Sequence, residues 1–147
     1  MVKFPDKNPI CSFTHTIRSR YSETDQMGYV YYGRYLEYFE AARTEMIRDL
    51  GLPYKKMEED GVMLPVIHAA IDYKSPLFYD EKIRITVYVF EKPLVKLDTW
   101  YRVNTADDDS LKAAGRVSLC FMDRERRKPC RAPGHFLNKI EGLVSGT

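Results

Sequence analysis

A chain of 147 residues has the length of one ordinary domain and buries roughly two thirds of the surface it exposes when unfolded. Its 44% hydrophobic and 30% charged residues exclude a disordered or fibrous protein, and a net charge of +2 is too small to act as a general field for nucleic acid. Three cysteines without a CxxC pair suit free thiols better than a disulfide framework, so a reducing compartment, the cytoplasm, is expected.

The first twenty residues carry no apolar run fit for a signal peptide or a membrane span, and 1–10 read as a loose end. Residues 13–21, with Phe13, Ile17 and Tyr21 among polar neighbours, predict an opening strand. From Tyr35 to Leu50 the apolar positions Leu36, Phe39, Ala42, Met46, Ile47 and Leu50 recur at three- and four-residue steps, the stripe of the single long helix expected. Glu40 and Arg43, and likewise Glu45 and Arg48, are spaced to pair across its surface, and Gly51 with Pro53 supplies a stop. A short helical turn is predicted over 54–60.

Four strands follow. The first spans 62–73, where Pro65, with no N–H to donate to a ladder, marks an edge or a strand start. Ile83, Ile85, Val87 and Val89 then share one face of a second strand that Lys92-Pro93 ends. Leu97, Thr99, Tyr101 and Val103 alternate with Asp98, Trp100, Arg102 and Asn104 as far as the acidic turn Asp107-Asp108-Asp109. Ala113, Gly115, Val117, Leu119 and Phe121 line one side of the last strand, and 135–147 read as a second loose end. The order predicts one α+β domain over 1–147, a mainly antiparallel five-stranded sheet with one helix on a face. A single helix cannot cover five strands, so the uncovered sheet and its edges predict self-association.

Chemistry concentrates in the run Arg20 to Gly33, between the first strand and the helix. The free N–H groups of a helix's first turn favour negative charge. A carboxylate just before them, Asp25, could attack a carbonyl or activate water while those amides hold the growing oxyanion, and Gly28 would let the backbone approach closely. The plainer reading makes Asp25 the cap of a turn and Tyr29, Tyr31, Tyr32 and Tyr35 packing residues. His15, His68 and His135 show no HExxH spacing and make no zinc pattern with the cysteines; GxSxG, GxGxxG and P-loop motifs are absent from the sequence.

The run resembles the signature of the 4-hydroxybenzoyl-CoA thioesterase and YbgC-like branch of the hotdog superfamily: a tyrosine, T-D-x-x-G-x-V-Y, then an aromatic helix with Y-F-E-x-A-R. Tyr21, Thr24, Asp25, Gly28, Val30, Tyr31, Tyr38, Phe39, Glu40, Ala42 and Arg43 fit it. Asp72-Tyr73, Pro76, Asp80, Lys128-Pro129 and Arg131-Ala132-Pro133 extend the likeness over about residues 12–133. The resemblance implies a hotdog fold, a sheet wrapped around the long helix. It also implies a homodimer joined edge to edge with active sites at the interface, or a dimer-of-dimers tetramer.

The activity implied is hydrolysis of acyl-CoA to free acid and coenzyme A, with Asp25 as nucleophile or general base. The Tyr32 backbone N–H would polarise the thioester carbonyl, Tyr21 would support Asp25, and Gly28, Val30 and Tyr31 would lie against the substrate. Many YbgC-like members carry histidine where this chain has Tyr32, which leaves a backbone role rather than a side-chain one. No metal or cofactor is implied, since coenzyme A is part of the substrate. Two further readings stay open on the same scaffold, a thioesterase acting on acyl-carrier protein and a non-catalytic acyl-CoA-binding module.

His68 could line the acyl pocket or be a satisfied structural histidine. The cluster Arg124, Arg126, Arg127, Lys128 and Arg131 is either a solvated strand end or a dock for the phosphates of coenzyme A, with Arg127 and Arg131 the candidates.

Overall fold

A computed structural model describes residues 1–52 and 54–145. Strand β1 (Cys11–Arg18) is followed by a 3-10 turn (Tyr21–Glu23), helix α1 (Arg34–Asp49) and the short helix α2 (Tyr54–Glu59). Then come β2 (Val62–Met63), β3 (Val66–Tyr73), β4 (Lys82–Val89), β5 (Lys96–Thr105), β6 (Leu111–Cys120), β7 (Met122–Asp123) and helix α3 (Gly134–Ser145). Five strands form one sheet in the order β1-β4-β5-β6-β3, and every neighbouring pair is antiparallel. The α+β architecture expected from the sequence is therefore present.

Alternation decides which side of the sheet faces the helix. In β4, Ile83, Ile85, Val87 and Val89 are buried, while Lys82, Arg84, Thr86 and Tyr88 point outward. Branched side chains suit this pleated surface, and each fully buried one contributes about 1.5–3 kcal/mol relative to exposure. Helix α1 lies on the inner face, against β1 and β4. Its Phe39 ring stacks on Tyr101 of β5 with centroids 4.3 Å apart and planes 12° off parallel.

The buried stripe of α1 is Tyr35, Tyr38, Phe39, Ala42, Arg43, Met46 and Ile47. It is rotated from the expected one, since Leu36 is 45% exposed while two tyrosines face inward. Burial of Tyr38 works because its hydroxyl finds a partner, donating to Glu23 Oε1 at 3.0 Å. Arg43, expected on the surface, is buried with its Nη1 2.9 Å from the Tyr101 hydroxyl. Glu45 and Arg48 do pair. At the helix end Gly51 takes φ +79°, with its N–H on the Arg48 carbonyl at 2.9 Å. Pro53, the other half of the predicted stop, lies outside the described residues.

Three expectations need correction. The segment 62–73 is two strands: proline cannot extend the ladder, and Val62–Met63 pairs with Met122–Asp123 instead of joining the large sheet. Val66–Tyr73 does form an edge of that sheet.

Residues 135–145 of the expected loose end are helix. Phe136 and Ile140 enter the core, the former edge-on to Phe121 at 5.4 Å. Their four-residue spacing puts both on one face.

Residues 1–10, also expected to be loose, are tied to the sheet, with Phe4 on its outer face. Phe4 meets Tyr88, Phe90 and Trp100 at 5.3–6.1 Å, Arg102 sits 4.2 Å over the Phe4 ring, and the Ile10 N–H bonds the Val89 carbonyl. A single aromatic residue in a polar stretch gave no periodicity from which to foresee this.

Candidate active site

The loop from Ser19 to Gly33 is fastened on three sides. Buried Ser19 donates to the Phe78 carbonyl at 2.6 Å and accepts the Glu81 N–H at 2.9 Å, while Val30 N–H bonds the Leu77 carbonyl at 2.7 Å. Glu23 joins the loop to α1, taking the Arg20 N–H and the Tyr38 hydroxyl on Oε1 and the Tyr31 N–H on its carbonyl. Within the loop, Thr24 and Val30 bridge antiparallel across a tight turn.

Asp25 sits in that turn. Its Oδ1 accepts the N–H of Met27 at 2.9 Å and of Tyr29 at 3.1 Å, and its own N–H bonds the Tyr29 carbonyl at 2.7 Å. Oδ2 accepts nothing among the described residues. The turn needs Gly28, whose φ of +80° suits glycine; nothing lies within 4 Å of where its Cβ would stand. Gly28 thus serves the turn through its conformation. The plainer reading, that Asp25 caps a turn, is correct for Oδ1.

Asp25 also lines a cavity of about 280 Å³ together with Met27, Tyr29, Val30, Tyr32, Tyr35, Tyr73, Lys74, Ser75 and Pro76. It is the one carboxylate on that wall, and Lys74 the one cation, among the described residues. Tyr35 is 2% exposed and burial lifts its hydroxyl to about 12. Tyr73 is raised too, by burial first and then by Tyr32 and Tyr31. Both rings therefore stay neutral near neutral pH, and Lys74 is the one other charged side chain on that wall among the described residues.

Tyr32 precedes Gly33, the N-cap of α1. Among the described residues nothing accepts the N–H of Tyr32 or of Gly33, as expected where a helix begins. Gly33 has an ordinary φ of −68°, but a Cβ there would run into the Tyr31 ring.

Other predicted site residues are more scattered. Tyr21, 76% exposed and edge-on to Tyr79, shares a shallow cleft with Asp25 on the outer side of the loop. Tyr31 leans on Tyr32 with centroids 4.7 Å apart and is not among the residues lining the cavity. His68, exposed on β3 opposite Ser118, is not among them either. Arg127 lies in a different cleft beside Glu58, Glu59, Asp60, Asp123 and Glu125, and Arg131 is exposed. Sequence reasoning missed Tyr35, Tyr73, Lys74 and Pro76 as wall residues. Tyr73 and Pro76 belonged to the recognised pattern, but nothing local tied them to the loop.

Comparison with known proteins follows the same lines. Residues 19–140 match the thioesterase-like superfamily. The chain belongs to that family. YneP of Bacillus subtilis (strain 168), named as a candidate acyl-CoA thioesterase, is 40% identical over 114 residues, 77% of this chain and 81% of YneP. The acyl-CoA thioester hydrolase YbgC of Escherichia coli O6:H1 is 26% identical over 121 residues, 82% of this chain and 90% of YbgC. Among solved structures, the DHNA-CoA thioesterase from Staphylococcus aureus superposes with a TM-score of 0.82 at 29% identity, covering 92% of this chain and 89% of that one. The sheet wrapped on α1 is thus the hotdog fold of these thioesterases. No helix among the described residues is long and apolar enough to cross a membrane.

Proposed function

We propose that this thioesterase-family chain hydrolyses acyl-CoA thioesters to the free acid and coenzyme A, with Asp25 as the reactive carboxylate. One observation carries the reading: Asp25, with Oδ1 tied down and Oδ2 unengaged, shares a cavity wall with Tyr32, the residue just before the N-cap of α1. Anchoring one oxygen fixes where the other points, and that order is in place before substrate arrives.

Attack on a thioester carbonyl puts negative charge on its oxygen. The unpartnered Tyr32 N–H, at the positive end of a 16-residue helix, is suited to take it. Asp25 either adds to the carbonyl as nucleophile, giving a mixed anhydride that water opens, or draws a proton from the attacking water. In both routes the thiolate of coenzyme A departs unaided, so neither an acid nor a metal is required. The acyl group would rest against Val30, Tyr35, Tyr73 and Pro76.

The assembly belongs to the same proposal. Edge strand β3 leaves Val66 and Ile67 about half exposed at its start and Tyr73 exposed at its end, where Tyr32 and Tyr31 are exposed with it; Tyr29 and Phe78 are exposed as well. A second copy paired along that edge would hide this surface and close the cavity, and two such dimers would make the tetramer.

The test is a screen of acetyl-, hexanoyl- and benzoyl-CoA, with release of thiol read by a thiol-reactive dye, for wild type and Asp25→Asn. The variant keeps the shape and loses the base or nucleophile, so turnover falls at least ~100-fold. Turnover close to wild type would remove Asp25 from the chemistry. Binding without thiol release by wild type would favour the non-catalytic module, and faster hydrolysis of acyl-carrier protein than of acyl-CoA would favour the other donor.

A further inference from the structure

Tyr73, the last residue of β3, reaches across to the segment that leads into α1. Its hydroxyl donates to the backbone carbonyl of Tyr32 at 2.9 Å, linking an edge strand to the start of α1. The Tyr35 N–H reaches the same oxygen from the helix side at 3.4 Å. The Tyr73 ring does not depend on that bond for its place, because it stands edge-on to Tyr35 at 5.0 Å and to Tyr32 at 6.2 Å. At 47% exposure its hydroxyl could be served by water. A stabilising role alone leaves its aim at this one carbonyl without an explanation.

The carbonyl of Tyr32 and the N–H of Gly33 belong to a single planar trans amide, so they point in opposite directions. Two donors on the oxygen therefore fix the direction of the Gly33 N–H, and drawing electron density toward the oxygen makes that N–H a stronger donor. Neither the Gly33 N–H nor the Tyr32 N–H one peptide earlier has an acceptor among the described residues. Both residues lie in the short stretch that turns from the Asp25 loop into α1.

We infer that Tyr73 is a positioning residue for catalysis, holding the Tyr32 carbonyl so that the amides at the helix start face the thioester oxygen. This rests on the assignment of that oxygen to the Tyr32 N–H under the proposed function and adds the neighbouring Gly33 N–H, the one whose peptide Tyr73 grips. Tyr73 touches no reacting atom; it acts through the peptide it grips.

Tyr73→Phe keeps every ring contact and removes one O–H. Turnover of the best substrate falls about tenfold while KM stays within twofold, since the lost interaction matters only in the transition state. The second readout is the carbonyl stretch of benzoyl-CoA or hexanoyl-CoA, labelled with ¹³C at the carbonyl and bound to Asp25→Asn. The band shifts to lower frequency than in water, and adding Tyr73→Phe reduces that shift.

An unchanged turnover, or an unchanged stretch in the double variant, overturns the role of Tyr73 and leaves the amide assignment standing. No shift in Asp25→Asn itself overturns the amide assignment. Loss of turnover matched by loss of melting temperature, with the stretch unaltered, shows a structural role and also overturns the inference.

Discussion

Gly115 of β6 lies beneath the ring of Phe39, so close that a Cβ at that position would overlap the ring edge and stand 3.3 Å from the Ala70 carbonyl oxygen. Phe39 cannot swing away, being fully buried and stacked on Tyr101. Here a side chain of the helix rests directly on the backbone of the sheet.

Gly115→Ala should therefore lower stability by about 1–3 kcal/mol, the usual cost of overfilling a tight core. Urea unfolding measures it. A variant as stable as wild type would mean that the helix can rise off the sheet at little cost.

Phe4→Ala should uncover Trp100, the single tryptophan of the chain, which is 8% exposed. Its fluorescence should move to longer wavelength and become easier to quench with acrylamide, while thioester hydrolysis stays as in wild type. An unaltered spectrum would show that the segment around Phe4 does not lie on that face in solution.

Cys11, packed on the core at the start of β1, has its thiol raised by burial to about 11 from an ordinary 9.0. The unfolded chain ionises this group from about pH 9, whereas the folded chain keeps the proton until about pH 11. Its contribution to stability is whole below pH 9 and is lost as pH rises through 11. Cys11→Ala should flatten the alkaline slope of a stability–pH curve; an identical slope would assign that loss to other groups.

Arg131→Ala should raise KM for acyl-CoA more than it lowers turnover if this guanidinium docks a phosphate. Arg127→Ala should change KM less, because five carboxylates share its cleft and offset its attraction for an anion. No change in either variant would make the basic cluster a solvated strand end.

How far the sequence could be read depended on how local each signal was. The alternation Ile83, Ile85, Val87, Val89 appears in the structure as the inner face of β4, and the T-D-x-x-G run as the turn that holds Asp25. Each spans fewer than ten residues and needs no distant partner to be legible. Arg43 was misread as a surface charge because its acceptor, Tyr101, is 58 positions away. Tyr73 was seen only as part of a pattern for the same reason, its partner carbonyl being 41 positions away. In α3 the signal was present, with Phe136, Leu137, Ile140 and Leu143 at helical spacing, but its brevity at the end of the chain hid it.

Of the two strands at the borders of the sheet, β3 ends in Tyr73, so its backbone leads straight to the grip on the Tyr32 peptide. A second copy docked along that border, as proposed, would bear on the proposed site through that grip. Rate per molecule ought then to depend on how dilute the protein is, falling where copies come apart and recovering as they meet again.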